Sequence, residues 1–204
     1  MLDFIMIALT CAPQVNAQTL SAIVKTESNY NELAININGK EKLARQPENE
    51  AEAVSTARWL IQNGYSVDMG LSQINSKNLP GLGMTVDEVF DPCKNLAAAA
   101  QILQSNYVIA RQTNDDKTAT LQSLSAYNTG SFKKGFENGY VQKVISAVDP
   151  IPLLTGKNPQ RLASKREKIK EDKISIPQSS VYFTGENEDS VNIYRNKAVD
   201  KMIY

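Results

Sequence analysis

Residues 91–112, DPCKNLAAAAQILQSNYVIARQ, carry the longest helical signal in the chain and do most to limit its fold. Asp91 fits an N-cap, whose side-chain oxygen accepts a first-turn amide, and Pro92 fits the first helical position, where no amide hydrogen is needed. Leu96, Leu103 and Tyr107 give this helix one inward side. Shorter helical segments flank it. Residues 19–29 predict a helix with Thr19 as N-cap. ENEAEAVSTARWLIQNGY turns Val54, Ala57 and Leu60/Ile61 inward and closes at Asn63-Gly64. NDDKTAT is read as a polar link, TLQSLSAYNTG as a helix closed by Gly130, and GYVQKVISAVDP as a last helix stopped at Asp149-Pro150. NELAININGK alternates and ends on the turn signal Asn38-Gly39. Residues 65–83 lack a helical period and are studded with Gly, Asn and Pro, as a structured loop or short hairpin would be. The expected class is mostly α, with a small irregular element that makes it α+β.

The domain plan follows from composition. The chain has 204 residues, 42% of them hydrophobic, enough for one domain with a real core. Past Pro150, GKNPQRLASKREKIKEDK is rich in lysine and poor in large apolar residues. We therefore expect a globular unit over residues 1–150 and a mostly disordered basic and polar tail over residues 151–204. A solvated linker is the plain reading of the basic run from Lys157 to Lys173; contact with an anionic polymer or with partner subunits is the alternative. The N-terminal run MLDFIMIALTCAPQ is too short to span a bilayer and lacks a basic start. It reads as a first buried segment, or as the remnant of an export signal.

Several chemistries are excluded early. Lys plus Arg and Asp plus Glu both number 22, so no net field argues for nucleic acid or an acidic membrane. There is no histidine, which removes Ser-His-Asp and Cys-His catalysis and histidine-ligated zinc. No glycine-rich phosphate loop, cofactor motif or metal-ligand spacing is present. Acid–base work near neutral pH must fall to a carboxyl, phenol, amine or thiol with a shifted pKa. Cys11 and Cys93 leave two readings open. One is a disulfide closing a loop of roughly 80 residues, worth about 4 kcal/mol. The other is two unrelated buried thiols.

Glu27 is the odd residue in its helix. Leu20, Ile23 and Val24 follow the spacing of one helical face, and Glu27 falls at i+7 from Leu20, on the same apolar stripe. An off-by-one register, or an ion pair with Lys25 or Arg58, would account for it plainly, since glutamate is rarely buried unless paired. The chemical alternative is a proton donor. Desolvation disfavours the charged carboxylate. Moving a glutamate pKa from about 4.3 to about 6 or 7 costs roughly 2–4 kcal/mol, a cost a fold tolerates where an acid is needed at neutral pH.

Two further segments, GLSQIN at 70–75 and AYNTG at 126–130, join glycine to amide side chains. Gln73, Asn75 and Asn128 can each donate and accept, which suits sugar hydroxyls and N-acetyl groups. Tyr127 adds an apolar ring and a phenol able to bond a carboxyl group. ES late in the first helix, then GLSQIN, then AYNTG, resembles the catalytic domain of lytic transglycosylases with a goose-type or soluble-type lysozyme-like fold. CAPQV, DPCKNL and YVQKV bring the likeness nearer to the small transglycosylase subunit of type IV secretion systems. It covers about residues 10–148.

The resemblance implies a lysozyme-like fold and a single catalytic acid/base, Glu27. Peptidoglycan is the implied substrate, cut between N-acetylmuramic acid and N-acetylglucosamine. The muramic acid C6 hydroxyl closes a 1,6-anhydro ring and no water is consumed. It further implies that Gln73 and the backbone at Ser72 hold the sugar, that Tyr127 bonds and orients Glu27, and that Asn128 contacts a neighbouring sugar, with Asn75 in the same binding set and Ser28 in support. Methionine is frequent in the family where Ser72 stands. The Cys11–Cys93 disulfide, type IV secretion or conjugation subunits as partners, and a periplasmic or cell-envelope location are implied too. Two alternatives stay open. A lysozyme-type hydrolase would need a second carboxylate at about 5–5.5 Å or about 6.5–9.5 Å, for which Asp68 and then Glu32 are candidates. A non-catalytic wall-binding assembly subunit would keep the groove without needing the acid.

Overall fold

The computed structural model describes residues 2–148. The expected tail and its basic run lie outside the described residues. Eight α-helices and three short strands follow in the order α1 (Leu2–Cys11), α2 (Ala17–Glu27), β1 (Ile35–Ile37), α3 (Glu50–Gln62), β2 (Val67–Met69), β3 (Ile74–Asn75), α4 (Leu79–Leu82), α5 (Pro92–Arg111), α6 (Asp116–Thr129), α7 (Lys134–Glu137) and α8 (Tyr140–Ala147) among the described residues. The expected mostly helical α+β class is what the chain forms.

Local chemistry explains most boundaries. Asp91 Oδ1 accepts the Lys94 amide and Pro92 opens α5. Asn49 caps α3, whose buried side is Ala53, Val54, Ala57 and Leu60. Gly130 closes α6 at φ 67°, a left-handed conformation that glycine adopts without a Cβ penalty. Two caps differ from expectation. The N-cap of α2 is Asn16, whose Oδ1 accepts the amides of Gln18 and Thr19; Thr19 sits one turn inside, buried, its hydroxyl without a hydrogen bond. Helix α6 starts inside the expected polar link, because Asp115 Oδ1 accepts the Thr118 amide.

The irregular middle is a three-stranded antiparallel sheet in the order β1-β2-β3. Met69 pairs with Ile35 and with Ile74, placing one face of the sheet in the core. Asp68 pairs with Asn36 and with Asn75, so the other face carries an Asn-Asp-Asn row. Leu20, Ile23 and Val24 of α2 are fully buried with Leu96, Leu103, Leu124 and Val144 of the later helices. Helix α2 packs against α1 and α8, and α5 packs along α6.

The N-terminal run forms α1 and is partly buried. Ala8 is in the core and Phe4 and Ile5 pack on it, while Met6 and Leu9 face outward. Cys11 and Cys93 form a disulfide with Cα atoms 5.2 Å apart, joining the end of α1 to the first turn of α5. No helix among the described residues is long and apolar enough to cross a membrane.

Candidate active site

Glu27 is the last residue of α2, and the chain turns sharply after it. Ser28 caps the helix by donating its amide and hydroxyl to Val24 O, and Asn29 and Tyr30 take left-handed backbone angles of φ 51° and 65°. Tyr30 then folds back. Its phenol bonds Ser21 at 2.8 Å and its ring meets Phe4 edge-on at 5.3 Å. The ESNYN stretch thus fixes where α2 stops and where Glu27 points.

The Glu27 carboxyl group faces a phenol. Tyr140, the first residue of α8, donates its hydroxyl to Glu27 Oε1 at 2.6 Å. Burial pushes the Glu27 pKa from 4.5 to about 7; the Tyr140 hydrogen bond opposes this rise, and the negative charge of Asp68 adds to it. Both tyrosines of the site, Tyr127 and Tyr140, are raised well above their ordinary value by burial and then by Glu27, so they stay protonated donors. Arg58 pairs with Asp87 and Glu32 is exposed.

The expected Tyr127–Glu27 hydrogen bond is replaced by this contact with Tyr140. Tyr127 instead donates to Ser72 O at 2.6 Å, bringing AYNTG and GLSQIN together. The Ser72 amide donates to Asn95 Oδ1 at 2.8 Å, and Asn95 Nδ2 donates to Met69 O and Val89 O. Asn95, the asparagine of DPCKNL, is a buried clamp on the loop. The Ser72 hydroxyl is fully buried without a hydrogen-bond partner.

The amides expected to reach a sugar are mostly committed to the protein. Gln73, at φ 51°, donates its Nε2 to Ala34 O and Gly70 O, stitching the β2–β3 turn to the end of the 28–34 loop. Asn75 donates to Asp68 Oδ1 at 2.6 Å and to Ser66 Oγ. Asn128 is exposed and accepts from Asn138 Nδ2 at 3.0 Å. Asp68 is half-buried, and burial raises its pKa while Asn75, then Asn38 and Asn36, hold it down. Among the described residues no group of three or more His, Cys, Asp or Glu is placed to hold a metal ion.

Residues 4–148 match the model of the transglycosylase SLT domain. The chain belongs to that family. The chain is 38% identical over 156 residues to the type IV secretion system protein virB1 of Brucella abortus biovar 1 (strain 9-941), covering 73% of this chain and 65% of that relative. It is 38% identical over 156 residues to protein virB1 of Agrobacterium fabrum (strain C58 / ATCC 33970), covering 76% and 63%. The same identity holds over 149 residues of protein virB1 of Rhizobium radiobacter, covering 73% and 62%. The chain thus spans less than two thirds of the length of these curated relatives. No solved structure matches it.

Within this SLT domain, sequence reasoning missed Tyr140 and Asn95 as site residues. Tyr140 shares the buried side of α8 with Val141 and Val144, a pattern that reads as core. Its polar end was the available signal, since a buried phenol needs a partner. Asn95 was signalled by an amide on the inward side of an otherwise alanine- and leucine-rich helix.

Proposed function

We propose that this protein is a peptidoglycan lytic transglycosylase that cleaves the β-1,4 bond between N-acetylmuramic acid and N-acetylglucosamine and leaves a 1,6-anhydro end. The observation that carries this reading is Glu27, an acid whose pKa of about 7 keeps a large share of it protonated at neutral pH. The family match supports the reaction class. The proton on Glu27 passes to the glycosidic oxygen, and the bond from that oxygen to C1 of the muramic acid breaks. The C6 hydroxyl of the same sugar then attacks C1 and returns its proton to Glu27, with the substrate N-acetyl group assisting. Atoms balance without water, and no metal or cofactor is required. In this reading Asn128 presents the exposed amide to the sugar, Ser72, Gln73, Asn75 and Tyr127 build the binding wall behind it through the hydrogen bonds they make within the protein, and Ser28 supports the acid by ending α2.

The name of the Brucella relative supports a place beside a type IV secretion apparatus. A conjugation role, with action on the wall in the periplasm or cell envelope, completes the proposal. Digestion of purified sacculi, followed by mass spectrometry of the released muropeptides, tests the chemistry. Products lacking one water relative to the hydrolysed mass are expected. Products at the hydrolysed mass overturn the transglycosylase reading.

One observation favours a second reading. Asp68 lies close enough to Glu27 for its charge to raise the Glu27 pKa, and three asparagines hold it. A lysozyme-type hydrolase would use it as the partner carboxylate. Under the transglycosylase reading, Asp68→Asn keeps cleavage within about tenfold of wild type and keeps the anhydro product, because it removes an electrostatic neighbour worth about 1 kcal/mol. Abolished cleavage, from a wild type that yields hydrated products, would select the hydrolase.

A further inference from the structure

We propose that Asn138 is a positioning residue whose side-chain bridge to Asn128 sets the phenol of Tyr140 against Glu27. The proposal rests on Glu27 as the acid and deepens that assignment. Asn138 ends α7, and Gly139 follows at φ 80° as the first residue outside α8. Gly139 has no side chain to cap α8, so the first amide of that helix needs a partner from elsewhere. Asn138 Oδ1 accepts that amide, the Tyr140 N–H, at 3.0 Å. Its Nδ2 donates to Asn128 Oδ1, also at 3.0 Å.

One amide therefore ties the last turn of α6 to the first residue of α8. The tied segments carry the two site phenols. Tyr127 precedes Asn128, and its hydroxyl is held on Ser72 O. Tyr140 follows two residues after Asn138, and its hydroxyl is held on Glu27. The bridge fixes the spacing of these phenols, and both asparagines are exposed. The ionisable groups acting on Glu27 are Tyr140 from α8 and Asp68 from β2, and Glu27 in turn raises the pKa of Tyr127 from α6. Of these only Tyr140 bonds it directly, and that bond favours the ionised carboxylate.

The test is the pH profile of kcat/KM on sacculi, whose alkaline limb reports loss of the protonated acid. Tyr140→Phe sets the scale: the limb should move to higher pH, because the phenol no longer stabilises the carboxylate. Asn138→Ala should move it the same way, with about a fivefold loss of kcat/KM and little change in KM, as for one lost hydrogen bond. Asn138→Ser keeps an acceptor for the Tyr140 amide but is too short to reach Asn128, so it separates the bridge from simple helix capping; its limb should shift as well. Asn128→Ala and the double variant should show no more than the single effect. Limbs that stay at the wild-type pH in both Asn138 variants, with only the melting temperature lowered, overturn the bridge. So does an alkaline limb that stays at the wild-type pH in Asn128→Ala. Glu27→Gln is run alongside. If it is fully active the acid assignment itself fails, whereas an inactive Glu27→Gln with unmoved Asn138 limbs removes only the bridge.

Discussion

Glu27→Gln is expected to lose about 10³-fold in kcat while gaining stability above neutral pH. Both effects have one physical source. The folded protein holds the Glu27 proton up to about pH 7, whereas a free glutamate releases it near 4.5. Between those values the native state binds a proton that the unfolded state has lost, so stability falls as pH rises. Above about pH 7 the full cost is present, about 3 kcal/mol at 1.36 kcal/mol per pH unit. Near pH 4 both states are protonated and the cost vanishes. A neutral glutamine never ionises, and its amide oxygen still accepts from Tyr140. The variant should therefore be about 2–3 kcal/mol more stable than wild type near pH 8 and about equal near pH 4. Urea unfolding at the two pH values reads this directly. Equal midpoint differences at both would mean that Glu27 ionises normally, and the proton-donor role would go with it. Wild-type glycan cleavage by the variant would mean that some group other than Glu27 is the acid, whereas a wild type that binds glycan without cleaving it would be a binding subunit rather than an enzyme.

How much of this was legible in the chain depends on the range of the interaction. Glu27 pointing inward was readable from i, i+3, i+4 and i+7 spacing, because a helix fixes those directions locally. The Asp91-Pro92 start of α5 and the Gly130 stop of α6 were readable for the same reason: caps and left-handed turns are decided within a few residues. The α2 cap was misplaced because Asn16 and Thr19 are both competent N-caps, and only burial of Thr19 separates them. Helix α1 reads in the sequence as a buried run or an export-signal remnant and not as a helix, since its apolar residues occupy too many faces to show a period. The phenol partner of Glu27 was out of reach for a different reason. Tyr127 and Tyr140 both face inward from separate helices, and the contact chosen joins residues 113 apart in sequence. The three asparagines around Asp68 needed the register of β1 against β2 and of β2 against β3, which a three-residue strand does not declare.

The loop built on that register should be the least tolerant part of the molecule, and Gly70→Ala its sharpest probe. Gly70 adopts φ 76°, where an L residue is strained by about 1 kcal/mol or more. A Cβ added there would overlap Asn95 Nδ2 and lie 2.8 Å from Val89 O. Neither neighbour can yield cheaply. Val89 O is backbone, and Asn95 is the buried clamp whose Nδ2 bonds Met69 O and Val89 O and whose Oδ1 holds the Ser72 amide. Displacing Asn95 leaves buried polar groups unpaired at about 1–3 kcal/mol, on top of overpacking of about 1–3 kcal/mol. The expected loss is about 3–5 kcal/mol, a large part of a typical domain's stability. The site should fail before the fold does. Once the Ser72 amide is freed, Ser72 O no longer sits where the Tyr127 phenol needs it, and the wall opposite Glu27 loosens. Denaturant titration should give a midpoint far below wild type, with sacculus cleavage weakened even at a low temperature that keeps the variant folded. A variant within about 1 kcal/mol of wild type and fully active would show that the loop relaxes freely around a side chain. Asn95 would then be a local tie and not the support on which the cleft wall stands.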